Sequence, residues 1–251
     1  MSNNVDRVKS ADRVFQIMEL FQKEKSPLAA RNISNKLSMP RSSTNVLIKT
    51  MVKRGYLGYD RNEFTYFPTI KIAQLGEWVL EKFIHNQEEL VEICNQLNQI
   101  TQETVSVTII SGDEAQFMKV IDSPQGVALK LYEGSKTSLF HSACGLALLS
   151  LQESEKIIKL IKKFNRRIDD KSQKILESEI LKRIDKVRNR LVAVDYEGVV
   201  KDAGAVSIGL SRDVFGESVA ISVSGPAQRI KNKEKQIEKT LKAVVLPYML
   251  K

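Results

Sequence analysis

The 251-residue sequence predicts an α+β protein: an N-terminal winged helix-turn-helix, a connecting helix, and a C-terminal domain of antiparallel sheet flanked by helices. Three observations carry this. The length exceeds the usual size of one domain, so two cores are expected. Apolar residues recur at helical spacing through the first fifty-odd positions and then give way to a short strand–turn–strand pattern. After Glu103 the apolar period becomes two, is interrupted by helical stretches, and returns to two before a last amphipathic helix.

From Ser10 to Glu24, Ala11, Val14, Phe15, Met18 and Phe21 are spaced to share one helical face, and Ser26-Pro27 ends the run. A short helix follows with Ala30, Ile33 and Leu37 on one side. Its start is poorly equipped, because Ala29 and Asn32 stand where a capping box would place Ser/Thr and Glu/Gln. In "MPRSSTNVLIKTM" (39–51), Pro40 suits a first helical position. Thr44, Leu47, Ile48 and Met51 fall on one side of this third helix. Ser42, Asn45, Lys49 and Lys53 fall on the other, with Arg41 at the N-terminal edge. Such a stripe of donors and acceptors suits base edges and phosphates in a major groove. Gly55 stops the helix, and "YLGY" and "FTYF" read as strands joined by "DRNE", a wing whose tip carries Arg61 and Asn62.

Charge agrees with this reading. Residues 1–69 hold twelve Lys/Arg against six Asp/Glu, a net of +6, which leaves +3 of the total +9 for the other 182 residues. A positive field confined to one end attracts a polyanion, so double-stranded DNA is the expected partner.

Residues 70–86 place Ile72, Leu75, Val79 and Phe83 on one face with Trp78 beside it, a connecting helix suited to dimerisation. Residues 87–101 form the next helix, with Leu90, Ile93, Cys94 and Leu97 toward a core; His85 at the junction reads as exposed. Val105, Val107 and Ile109 then alternate, "SGDE" turns the chain, and "AQFMKVID" and "GVALKLY" read as strands. Helices are expected at about 142–151, 154–164 and 172–190, the last with Ile180, Ile184, Val187 and Leu191 in register. Strands return at "LVAVD", "AGAVSIGL" and "ESVAISVSG". Along the last, Val219, Ile221 and Val223 point one way and Ser218, Ala220, Ser222 and Ser224 the other. The serines face either water or a polar-lined cavity.

Two cysteines fifty positions apart and two histidines give neither a disulfide framework nor metal-ligand spacing, so no metal and no cofactor are expected. No apolar run approaches a membrane span, and the polar start lacks a secretion signal, which points to the cytoplasm.

The order of features resembles the IclR family of bacterial and archaeal transcriptional regulators over almost the whole chain. The resemblance is carried by "KSADRVFQIMELF", "MPRSSTNVLIKTMVKRGYL", "FTYFPTIKIAQLG", "SLFHSACGLALLS" and "AISVSGPAQRI". It implies a winged-helix domain over 1–69, a connecting helix over 70–86 and a GAF-like effector-binding domain over 87–251. Ser142, Ala143, Cys144, Asp195, Ser222 and Ser224 are implicated in the effector pocket, and self-association as dimer or tetramer follows. Two departures stand out: Val46 where the family usually has arginine, and Leu146 where it has lysine, which would make the pocket mouth less basic.

Ser142 at a helix N-terminus, with unpaired N–H groups beside it, suits a carboxylate, so the expected effector is a small organic or aromatic acid. Two other readings remain: a winged-helix protein whose second domain only dimerises, and a thiol enzyme using His141 and Cys144, three residues apart.

Overall fold

The computed structural model describes residues 8–86, 88–170, 173–214 and 217–249, without the side chains of 79–86, 212–217 and 249. The chain divides into two compact units between Asn86 and Gln87.

The first unit contains α1 (Lys9–Glu24), α2 (Ala30–Lys36), α3 (Arg41–Lys53), β1 (Leu57–Asp60), β2 (Thr65–Pro68) and α4 (Ile70–Asn86). Ile17, Leu20, Phe21, Leu28, Ile33, Ile48, Met51 and Leu57 form its core. The buried face of α1 is thus rotated from the expected one: Phe15 is 63 % exposed and Ala11 is also exposed. The spacing was right, but Ile17 and Leu20 complete the apolar arc and turn Phe15 out.

As expected, α2 starts without a side-chain cap, its first turn closing on the Ala29 carbonyl instead. What fixes the turn into α3 is Ser34, buried, whose hydroxyl donates to the Met39 carbonyl while Met39 N–H returns a bond to Ser34 O. Pro40 is the N-cap of α3 and not its first helical residue. Its ψ of 133° is extended, and its carbonyl accepts both the N–H and the hydroxyl of Thr44. Gly55, at φ +79°, ends the helix: Gly55 N–H bonds Val52 O and Tyr56 N–H bonds Met51 O, the paired bonds of a Schellman motif.

The wing is a four-residue loop, 61–64, one residue beyond the expected "DRNE". Asp60 Oδ1 accepts the N–H groups of Asn62 and Glu63, and Phe64 takes φ +53°. Leu28 exchanges two backbone bonds with Tyr66, tying the wing to the segment before α2.

The second unit comprises α5 (Glu88–Thr101), β3 (Thr104–Ser111), β4 (Glu114–Ile121), β5 (Lys136–Ser138), α6 (Ala143–Ser150), α7 (Ser154–Asn165), α8 (Glu177–Arg190), β6 (Val192–Tyr196), β7 (Ala203–Val214), β8 (Glu217–Pro226) and α9 (Ala227–Met249). The six strands make one antiparallel sheet in the order β5-β4-β3-β8-β7-β6. Helices α5 and α9 cover one face; α6, backed by α8, covers the other. Val105 and Val107 pair with Val223 and Ile221 on the α5/α9 side, where Leu90, Ile93, Cys94 and Leu97 are fully buried as expected. Burial pushes the Cys94 thiol up to about 12, so it acts as a small hydrophobe.

Glu103 is fully buried where α5 meets β3, with Arg229 on both carboxylate oxygens at 2.6 Å and Lys233 at 3.1 Å. A Cβ at Gly225 would lie 2.7 Å from that carboxylate, which is why glycine precedes Pro226 at the end of β8.

Three expectations for this unit are corrected. "GVALKLY" forms no strand; the edge strand is Lys136–Ser138, and the segment is tied across the sheet by Thr104, whose hydroxyl donates to Leu129 O and accepts from Ser123 N–H. The last of the three middle helices begins at Glu177, five residues later than expected. Leu191 is its left-handed C-cap, φ 68° and 44 % exposed, and does not continue the apolar face.

Candidate functional site

On α3, Thr44, Ile48 and Met51 are buried and Leu47 half-buried, which leaves the opposite face out of the unit's own core. Arg41, Ser42, Asn45, Lys49 and Lys53 are all exposed on it, and Arg61 is exposed at the start of the wing loop. The structure therefore brings the five helix residues into one outward stripe.

In the second unit, α6 lies close on the sheet because both surfaces are small. A Cβ at Gly209 would sit 2.7 Å from the Ala147 carbonyl oxygen, and one at Gly145 2.2 Å from that of Leu139. Between the start of α6 and the sheet lies a cavity of about 80 Å³. Ser142, Ala143, Cys144, Asp195, Ser222 and Ser224 all line it. Leu146 does not: it is 3 % exposed and belongs to the core between α6 and α8, so it has no bearing on the basicity of this cavity.

Ser222 and Ser224 of β8 face the cavity side and are buried, 3 % exposed each, whereas Ser218, near the start of the strand, is half-buried and does not line the cavity. Ser222 pairs across the sheet with Ser106 on β3 and Ser207 on β7, a row of three hydroxyls. Ser207 donates to Ser222 at 2.7 Å. Ser106, 1 % exposed, lines the cavity, and its hydroxyl is the one buried side-chain polar atom among the described residues without a partner. Sequence reasoning missed Ser106, although its place in an alternating strand beside "SVSG" was the available signal. Facing these groups are Phe117, Leu129, Leu131, Val199 and Val200. Among the described residues, no lysine or arginine lines the cavity.

Ser142 is the N-cap of α6, as expected from its position. Its hydroxyl is already committed, accepting from Gly145 N–H at 3.1 Å and donating to Ser138 O at 2.6 Å. What the helix start can offer a ligand is the first-turn N–H groups of Ala143 and Cys144, which have no acceptor within the helix. Asp195, at the far end of β6, accepts the Gly198 N–H, and burial is the main force holding its carboxyl above the ordinary value.

The thiol and imidazole do not form a dyad. Cys144 Sγ sits 3.2 Å from Ser142 Oγ, and His141 Nδ1 2.9 Å from Ser138 Oγ. Burial raises the Cys144 thiol and, with Arg183, lowers His141, so the thiolate a nucleophile needs is disfavoured.

A winged helix-turn-helix joined to a sheet domain with a polar-floored cavity defines the class: a DNA-binding transcriptional regulator with an effector-binding C-terminal domain. Residues 10–61 match the IclR helix-turn-helix domain, and residues 85–246 match the C-terminal domain of the bacterial transcriptional regulator IclR. The chain belongs to the IclR family. It is 24 % identical to the HTH-type transcriptional repressor AllR of Salmonella typhi, over 87 % of this chain and 80 % of that protein. It is 21 % identical to the HTH-type transcriptional regulator KdgR of Escherichia coli, over 92 % and 87 %. In fold it is similar to Thermotoga maritima IclR, with a TM-score of 0.72 and 18 % identity over 95 % of this chain and 96 % of that one. A regulator from Alicyclobacillus acidocaldarius gives 0.67 at 15 % identity, over 97 % and 98 %. These relatives are regulators and not enzymes, which sets the thiol-enzyme reading aside. No helix among the described residues is long and apolar enough to cross a membrane.

Proposed function

We propose that this chain is a cytoplasmic regulator that grips operator DNA with α3 and the wing, and that a small carboxylic acid in the α6–sheet cavity modulates that grip. Arg41, Ser42, Asn45 and Lys49 contact bases or phosphates, and Lys53 and Arg61 contact phosphates. The chain acts as a homodimer or a tetramer, and a two-fold protein matches two half-sites of a roughly palindromic operator. Ile70, Leu75 and Trp78 of α4, 55–74 % exposed, supply an apolar surface for self-association; the side chains of Val79, Phe83 and His85 lie outside the described residues.

The observation that carries the ligand is the Ser106 hydroxyl, desolvated and unpaired in a cavity that has other hydrogen-bonding groups to spare. A partnerless buried hydroxyl costs about 1–3 kcal/mol, a penalty that a ligand oxygen would relieve. The same observation favours a ligand-binding domain over one that only dimerises. A carboxylate fits the N–H groups at the start of α6. With no cation among the described lining residues and Asp195 beside the cavity, the rest of the ligand should carry a hydroxyl or N–H for Asp195 to accept from. Size narrows the class: about 80 Å³ falls well short of the roughly 150 Å³ that holds benzene, which favours a short aliphatic acid over an aromatic one.

Bound preferentially in one conformation, such an acid shifts the population that binds DNA, with α4 as the covalent link between the units. The experiment is a thermal-shift screen of the full chain against two- to five-carbon acids with and without hydroxyl groups, followed by duplex binding with each hit. A hydroxy acid that raises Tm and changes duplex affinity is expected. A chain that no acid stabilises, or whose hits leave duplex affinity untouched, overturns the effector reading.

A further inference from the structure

The outward stripe of α3 contains one residue that its chemistry does not explain. Val46 is 64 % exposed, the one large apolar side chain set among Ser42, Asn45, Lys49 and Lys53. Four positions on, one turn along the same side of the helix, stands Thr50, also exposed. Its hydroxyl is turned back onto the helix, donating to the Val46 carbonyl at 2.8 Å. Thr50 therefore has its polar atom engaged by the backbone and leaves its methyl for the surface. Together they form a methyl strip along the flank of the polar stripe, about 6 Å long at 1.5 Å rise per residue.

A polar surface made to meet water gains nothing from such a strip. A surface made to lie in a major groove does, because each thymine presents a C5-methyl group there and the other three bases present none. We infer that Val46, supported by Thr50, reads a thymine methyl and is a specificity-determining residue of the operator contact. The inference rests on the reading of α3 as the groove-bound helix and adds a base identity to it. Asn45, next in sequence, has the amide for the bidentate contact to adenine, so the methyl lies within a step or two of that base pair.

The test uses the full chain throughout. Wild type and Val46→Ser each select duplexes from a randomised pool. The best wild-type duplex is then remade with deoxyuridine in place of one thymidine at a time, which removes the methyl and keeps every hydrogen bond. The exposed position lets both proteins fold, and equal Tm values check it. Wild type should lose about fourfold per recognition helix at one thymine, the value of burying a single methyl group. Val46→Ser should lose nothing there and should select without preference at that position, while Val46→Thr, which keeps a methyl, falls between. A wild type indifferent to deoxyuridine at every position, or a Val46→Ser protein with the same sensitivity, overturns the inference and leaves DNA binding by α3 standing. A wild type that enriches no duplex at all overturns both.

Discussion

Ser106 and Ser222 face each other across two strands, yet losing their hydroxyls has opposite consequences. Ser106→Ala removes a buried group that has no partner, so folding stability should hold or rise by up to about 1 kcal/mol while affinity for the acid falls. Ser222→Ala instead takes away the acceptor of the Ser207 hydroxyl and should cost about 1–3 kcal/mol. Urea midpoints of the two variants decide the point, and destabilisation of both alike would mean that Ser106 is satisfied in solution. Asp195 supplies a second residue-scale expectation. Burial raises its pKa, so at neutral pH the folded state carries a charge it disfavours, and that penalty disappears as pH falls through the raised value toward the ordinary one. Asp195→Asn should therefore be more stable than wild type at pH 7, with the advantage shrinking and lost by about pH 3.5, below the ordinary carboxylate value. An advantage independent of pH would contradict it.

Helices α3 and α6 are positioned by different devices, and the sequence discloses them unequally. The cap and stop of α3 are local: Pro40, Thr44 and the Gly55 Schellman motif sit within seventeen residues, so the helix and its outward face can be derived from spacing alone. Asn45→Ala should relax preference at one base pair by about 1–3 kcal/mol, read by selection from a randomised duplex pool; uniform weakening would make Asn45 a phosphate contact instead. The placement of α6 depends on one close approach to the loop six residues before Gly145 and on another to a strand sixty-two residues beyond Ala147. Gly145 is required because Leu139 runs behind it, and Gly209 because Ala147 lies over it. Gly145→Ala should thus destabilise the second unit by at least about 1–3 kcal/mol and abolish acid binding. Tm of the variant with and without acid checks this, and a wild-type Tm would show that Leu139 yields easily.

At the scale of the whole molecule, the two-unit order, the sheet of "AVSIGL" and "SVAISVSG" and most core faces were legible because period and turn residues are local signals. The misses have physical causes. Helical spacing alone puts Phe15 inward, because it does not reveal that Ile17 and Leu20 already fill the face. "GVALKLY" alternates like a strand, but the Thr104 hydroxyl holds Leu129 of that stretch from twenty-five residues away, and Ser123 just before it is tied back to Gln102. Pattern left the β8 serines divided between water and cavity; only the resemblance grouped them with Ser142 and Asp195, and only the fold added Ser106.

Operator binding requires that the charge gathered on α3 and the wing be electrostatic surface for a duplex. The most direct measurement is the affinity of the full chain for a selected duplex between about 50 and 200 mM salt, for wild type and Lys53→Ala. The predicted result is a linear fall of log affinity with log salt in both, with the variant weaker on every sequence and its slope smaller by about one. A wild type that ignores duplex DNA at the lowest salt, or a variant whose slope equals that of wild type, would contradict it.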